Sequence, residues 1–177
     1  RRPIGLLPFL SRLWMRVRRE LMQAWERQND MPYLYAGKGR GPNVATWGQA
    51  ARGELAASAK MSVGYAQALL DLVKAFDIVT HRLLAEEAAA LGLPFWLVRL
   101  SIATYRLRRA IRIGTMCSAI VRAFRGIVAG SGFACAEMRV VLVRLVDRAW
   151  KAFPMMAPTL YVDDMSAETV APEEMVV

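Results

Sequence analysis

The chain has 177 residues, 55% of them hydrophobic, which is ample apolar material for one domain or two subdomains. No uncharged run exceeds 11 residues, which excludes a bilayer span, and two cysteines, Cys117 and Cys135, exclude a disulfide framework. Unpaired, buried thiols and an intracellular, reducing compartment are the expectation. The net charge of +9 is uneven: residues 1–60 carry 11 Lys+Arg against four acids, and residues 163–177 carry five acids and no base. Between Glu87 and Glu137 there is no acid but seven arginines: Arg99, Arg106, Arg108, Arg109, Arg112, Arg122 and Arg125. Such a field draws in polyanions. A solvated face, or a counterweight to an acidic region, is the plainer alternative.

In chain order, residues 9–28 read as one amphipathic helix. Leu10, Leu13, Trp14, Val17, Leu21 and Trp25 fall at three- and four-residue steps, so this stripe is expected to face the core. Residues 37–42 are a glycine-rich loop without the GK[ST] of a phosphate-binding loop. Residues 43–60 are Ala-rich and helical. Residues 65–72 are short and apolar, as in a buried central strand. Residues 81–91 form a helix closed by Gly92 and Pro94, and residues 95–105 a second. Residues 110–113 and 118–124 suggest a hairpin around Gly114. After a loop at 126–132 comes a helix over 134–152 with Leu142, Leu145, Val146 and Trp150 inward. A strand over 159–162 ends at an Asp-Asp turn. This order suits an α+β domain, with helices on one face of an antiparallel sheet.

Two acidic clusters carry the chemistry. One is Asp71-Leu72-Val73-Lys74-Ala75-Phe76-Asp77; the other, beginning 92 residues after Asp71, includes Asp163 and Asp164 after Tyr161-Val162. Carboxylates gathered in a basic protein repel one another unless a cation joins them. Divalent metal answers that need, and aspartates holding two metals are an apparatus of phosphoryl and nucleotidyl transfer. A surface Asp-Asp turn is the bland alternative.

These residues resemble the motifs of reverse transcriptases, in the style of non-LTR retrotransposons and group II introns. Asp71, Phe76 and Asp77, with Ile78-Val79-Thr80-His81-Arg82-Leu83-Leu84 behind them, resemble the first palm motif. Tyr161-Val162-Asp163-Asp164 resembles the Tyr-x-Asp-Asp box. Arg2-Pro3-Ile4-Gly5-Leu6-Leu7-Pro8 resembles the entry to the fingers, and Gly126-Ile127-Val128-Ala129-Gly130-Ser131 stands where Gly-x-x-Gln-Gly-Ser is expected. The four motifs occur in the family's order and cover nearly the whole chain.

The resemblance implies a fingers-like part over 1–60 and a palm over 61–177, with helices and a hairpin at 82–125 and no thumb. The sequence opens inside a motif without an initiator Met, so it reads as a fragment of a longer polyprotein or a degenerate copy. The resemblance further implies that Asp71, Asp163 and Asp164 are catalytic ligands of two Mg²⁺ ions. Arg2 would grip the triphosphate, with Arg12 as a second such cation or a surface charge. Phe76 would reject a 2′-hydroxyl, and Ala129 and Gly130 would line the nucleotide. Tyr161, Arg106, Arg108, Arg109 and Arg112 would contact nucleic acid. Asp77 is expected to cap the next helix or to bond to backbone, and His81 to be structural. Ala129 departs from the family's glutamine and Gly132 from its proline, which removes a hydrogen bond to bound dNTP. The expected activity is RNA-directed DNA synthesis on an RNA template, with an RNA–DNA duplex and dNTPs as partners and no membrane. The rival is a non-catalytic nucleic-acid-binding relic. A basic amphipathic membrane-surface or interaction protein is a third reading, and it leaves the Asp motifs unexplained.

Overall fold

A computed structural model describes residues 5–37, 39–58 and 63–172. The opening helical stretch is two helices, α1 (Phe9–Val17) and α2 (Arg19–Gln28), broken at Arg18. Their buried residues are Met15, Met22 and Trp25, and the Trp25 indole donates to the Leu91 carbonyl at 2.9 Å. The expected core stripe is instead largely in the open: Leu10, Leu13, Val17 and Leu21 are all exposed, Leu10 at 75%. Of that stripe Trp25 is buried and Trp14 half-buried, and the buried face is displaced toward Met15 and Met22.

Helix α3 (Pro42–Ser58) starts on a proline, whose fixed φ and missing N–H suit a first helical position. It is followed by β1 (Val63–Leu70). Lys74, in the left-handed region at φ 53°, then turns the chain into the short helix α4 (Ala75–Ile78). Thr80, not Asp77, caps α5 (His81–Ala90), its hydroxyl accepting from Leu83 N at 3.2 Å. Asp77 is exposed within α4, so the expected capping role passes to the better-placed hydroxyl. Helix α5 ends as its sequence dictates. Gly92 adopts φ +66°, Leu93 N reaches Ala88 O at 2.9 Å, and Gly92 N reaches Ala89 O at 3.2 Å. Helix α6 (Phe95–Tyr105) follows Pro94 directly.

The hairpin exists but is short. Its strands are β2 (Arg112–Ile113) and β3 (Met116–Cys117), joined around Gly114 and extended by an isolated bridge between Arg109 and Val121. Helix α7 (Ala134–Ala152) has the expected bounds. Leu142 and Val146 are buried, but Leu145 is exposed, and Trp150 stands edge-on to Tyr33 at 5.6 Å. Strands β4 (Met156–Tyr161) and β5 (Asp164–Pro172) form the last hairpin. Cys117 and Cys135 form no disulfide, and both are exposed, so the expectation of buried thiols fails.

The elements fall into two compact units that interleave along the chain. One takes residues up to Gln28 and Lys74–Val141; the other takes Asn29–Val73 and Leu142 onward. The first is mostly helical. Leu84 and Leu97 are fully buried in it, each contributing about 1.5–3 kcal/mol of apolar transfer. The second holds a three-stranded antiparallel sheet in the order β1-β5-β4, against which α3 packs. Residues 33–35 flank β4 on its outer side: Leu34 bridges Leu160, and Tyr35 N donates to Leu160 O at 2.9 Å. Strand β1 is therefore an edge strand rather than a buried central one. Its residues 67–70 are exposed, and among the described residues its outer edge has no partner strand. This is an α+β architecture with an antiparallel sheet. No helix among the described residues is long and apolar enough to cross a membrane.

Candidate active site

The three aspartates belong to the same unit, and strand register collects them at one end of its sheet. Leu70 pairs with Met165 across β1 and β5, so one further step along β1 sets Asp71 against Asp164. Tyr161 pairs with Asp164 across β4 and β5, which leaves Val162 and Asp163 as a two-residue turn. Val162 sits at φ 59°, a region that disfavours a β-branched residue and that hairpin turns usually fill with glycine or asparagine. The turn stores strain of about 1–3 kcal/mol by the usual scale for such outliers. It lets adjacent Asp163 and Asp164 occupy one sheet end, though successive strand residues point to opposite faces.

Asp163 is half-buried; Asp71 and Asp164 are exposed. As placed, no three His, Cys, Asp or Glu side chains among the described residues are gathered closely enough to hold an ion. The donor set nevertheless fits Mg²⁺, a hard cation that takes one or two carboxylates and completes its shell with water and substrate phosphates. Tyr161, the last residue of β4, is half-buried one position before the turn.

Helix α3 is fastened to this sheet by polar contacts the sequence did not disclose. Gln49 Nε2 donates to Ser166 Oγ at 2.7 Å, and Arg52 Nε meets Glu168 Oε2 at 2.6 Å. Gln67 Nε2 reaches the other Glu168 oxygen at 3.3 Å. Glu168 is only 2% exposed, and its hydrogen bond pushes the Arg52 guanidinium above its usual range against the opposing effect of burial. These contacts hold the strand that begins at Asp164.

The remaining candidate residues with described positions belong to the helical unit. The loop 126–131 is tied at its start: Gly126 N bonds Val79 O at 2.7 Å, Ile127 N bonds Phe76 O at 2.8 Å, and His81 Nε2 donates to Gly126 O at 3.1 Å. Gly126 has φ +96°, and a Cβ there would lie 3.2 Å from Asp77 O, so glycine is required. His81 is structural, as expected, and burial pushes its pKa down, which favours the neutral ring. Ala129 and Gly130 form an exposed tip, while Phe76 is half-buried. Nearby, an open groove of about 640 Å³ has Lys74, Asp77, Phe124 and Arg125 among its walls. Arg106, Arg108 and Arg112 are exposed; Arg109 is half-buried and bonds the Tyr105 carbonyl through Nη2. Arg122 lies over the Phe124 ring, 5.9 Å from its centroid. Arg12 is exposed on α1, and Arg2 lies outside the described residues.

Sequence reading also missed a buried cluster. Tyr105 Oη donates to Glu137 Oε2 and shares a 2.7 Å hydrogen bond with Ser131 Oγ. The available signal was an acid placed in the apolar first turn of α7.

No protein-family model and no curated protein sequence matches the chain. Among solved structures, the chain is similar to apo telomerase of Candida tropicalis truncated of its C-terminal domain, with 15% identity and a TM-score of 0.59 over 90% of this chain and 34% of that one. It is likewise similar to Candida tropicalis telomerase in complex with a fragment of telomeric RNA, with 15% identity and a TM-score of 0.61 over 94% of this chain and 29% of that one. The chain thus spans about a third of each of these structures. At this identity the likeness shows fold: an α+β, reverse-transcriptase-like fold shared with telomerase.

Proposed function

We propose that the chain is the fingers and palm of an RNA-directed DNA polymerase of retroelement type, with fingers over 1–60 and palm over 61–177. The observation that carries this reading is the β1–β5–β4 register, which brings Asp71 to the sheet end that bears Asp163 and Asp164. The telomerase-like fold supports it. Asp71, Asp163 and Asp164 would hold two Mg²⁺ ions, which supply charge neutralisation at an attacking 3′-oxygen and a departing pyrophosphate. Phe76 would exclude a 2′-hydroxyl, favouring dNTPs over NTPs. The backbone at Ala129 and Gly130 would line the nucleotide, and Arg2 would meet its phosphates through a bidentate guanidinium. Arg106, Arg108 and Arg112, with Tyr161, would hold the RNA template and the RNA–DNA duplex through the backbone, so that any sequence is accepted.

A non-catalytic nucleic-acid-binding relic is the second reading, and Ala129 favours it. The exposed loop tip carries a methyl group where a hydrogen-bonding side chain would contact the nucleotide. Two measurements separate the readings. The first is paramagnetic broadening by Mn²⁺, expected at Asp71, Asp163 and Asp164 and lost in Asp163→Asn. The second is primer extension on a primed RNA template with Mg²⁺ and dNTPs. Weak extension that Ala129→Gln raises and Asp163→Asn abolishes supports the polymerase. RNA binding with neither Mn²⁺ broadening nor extension establishes the relic.

A further inference from the structure

The loop 126–131 is held at its far end by a side chain no motif contains. Glu137, in the first turn of α7, is fully buried. Among the described residues no Lys or Arg is paired with its carboxyl; Tyr105 of α6 donates to Oε2, and the Ser101 hydroxyl of α6 adjoins it. The Tyr105 oxygen also shares the hydrogen bond with Ser131, the last residue of the loop. A tyrosine hydroxyl has one proton, so if it donates to Glu137 then Ser131 must donate to it. Phe133 N in turn donates to Ser131 Oγ at 3.3 Å. The result is a directed chain from Phe133 N–H through Ser131 and Tyr105 to Glu137.

Two buried atoms of this cluster, Glu137 Oε1 and Ser101 Oγ, have no hydrogen-bond partner as placed. A proton on Oε1 would satisfy both at once, since Oε1–H can then donate to Ser101. A carboxylate at the same place would leave a negative charge in the core with only two neutral donors, the Tyr105 and Ser101 hydroxyls, and no counter-cation. Among the described residues, the other groups facing the cluster supply no compensating pair. His81 of α5 lies 6.3 Å from the Tyr105 ring and is committed to Gly126 O; Arg109 is committed to the Tyr105 carbonyl; α1 presents the Met15 sulfur to Ser131.

We propose that Glu137 is a positioning residue: its uncharged carboxyl latches Tyr105 and Ser131 and so holds the exposed tip Ala129–Gly130, and its ionisation releases that tip. Burial, which pushes this carboxyl up to about 7, places the release near neutral pH. The significance for nucleotide binding rests on the polymerase reading; the latch itself does not. His81 guards the opposite end in the opposite sense, since it must stay neutral and would charge only on acidification.

The test is amide hydrogen exchange of Ser131 and Phe133 in the whole chain between pH 6 and 8.5, expressed as protection so that intrinsic base catalysis cancels. In the wild type, protection should fall by about fivefold between pH 6 and 7 and by about tenfold in all by pH 8.5, where it levels, the response of one proton lost on opening. Glu137→Gln mimics the protonated acid, with an oxygen for Tyr105 and an N–H for Ser101, and should stay protected and flat. Tyr105→Phe should be poorly protected at every pH. A carbon-13 titration of the Glu137 carboxyl in the wild type supplies the midpoint without any substitution. Wild-type protection that stays flat through that midpoint overturns the latch, as does a Glu137→Gln profile that parallels the wild type. A loop that titrates as described in a chain that binds no dNTP refutes the polymerase reading and supports the latch.

Discussion

Removing Arg52 should unfold the sheet-bearing unit far more readily than loss of an ordinary surface charge. The Glu168 carboxylate is buried, and after Arg52→Met its remaining partners in the sheet are neutral, the Gln67 amide at 3.3 Å and the Tyr65 hydroxyl. Leaving a buried charge uncompensated costs about 3–5 kcal/mol, whereas an exposed pair contributes about 0–1. For a chain of this length each kcal/mol moves Tm by about 2–4 °C, so the loss should be roughly 6–20 °C. Glu168→Gln is the informative partner. It keeps the side chain's shape and leaves Arg52, a third of whose side chain is exposed, within reach of water, so its cost should be about 1 kcal/mol. The double variant Arg52→Met/Glu168→Gln should resemble Glu168→Gln rather than the sum of the two. Two compact units need not melt together, so the probe must be local. Fluorine-labelled tryptophan serves, because Trp47 and Trp150 lie in the sheet unit and Trp14, Trp25 and Trp96 in the other. An Arg52→Met loss below about 1 kcal/mol, or strict additivity in the cycle, would refute the reasoning.

Glu137 predicts a pH dependence of global stability. Its folded pKa of about 7 lies above the ordinary 4.5, so the folded chain binds the extra proton between those values; stability should fall by about 3 kcal/mol as pH rises from 4.5 to 7 and then level, a slope absent in Glu137→Gln denaturation curves. His81 works the other way, its depressed pKa adding stability as pH rises toward 6.5. The exposed stripe on α1 predicts that Leu10→Glu changes Tm by the equivalent of less than about 0.5 kcal/mol, whereas Met15→Ala should cost about 2–5; a large Leu10→Glu loss would put that face in the core. RNA affinity should fall on the order of a thousandfold between 50 and 200 mM salt if about six phosphates are engaged, with Arg106→Ala, Arg108→Ala and Arg112→Ala each flattening the slope by about one; a flat salt response removes the polyanion site.

What could be read in advance followed local rules. Gly92, Pro94 and the α7 periodicity specify their helix boundaries through backbone conformation and spacing, and the Tyr161–Asp164 turn is signalled by a strand that ends in two acids. What could not be read depended on partners distant in sequence. The apolar run before Asp71 looks the same whether it is central or at an edge, because its place is set by β5 about a hundred residues later. The stripe of Leu10, Leu13, Trp14, Val17, Leu21 and Trp25 has a helical period, but period alone does not say how much of it the core covers; Trp25 is buried together with Met15 and Met22, while the three leucines and Val17 are exposed. Thr80 displaced Asp77 as the cap because the helix began four residues beyond Asp77. At the candidate site the three aspartates were legible as residue types in order. The supports at Glu168 and Glu137 were not, since a buried acid announces itself only through the neighbours that bury it.

The interleaving of the two units has a consequence for synthesis on the ribosome. Every segment of the helical unit has been made by Val141, but β1, complete at Leu70, must wait for β5, whose pairing runs from Met165 to Pro172. At about 5–20 residues per second that wait lasts on the order of 5–20 seconds. Throughout it, residues 63–70, without a single charge, present both strand edges to the cell. The nascent chain is then most open to chaperone capture, proteolysis and mispairing with its neighbours on the same message. Slowing elongation between residues 70 and 165 should lower the soluble yield, and an added Lys at exposed Ala68 should raise it.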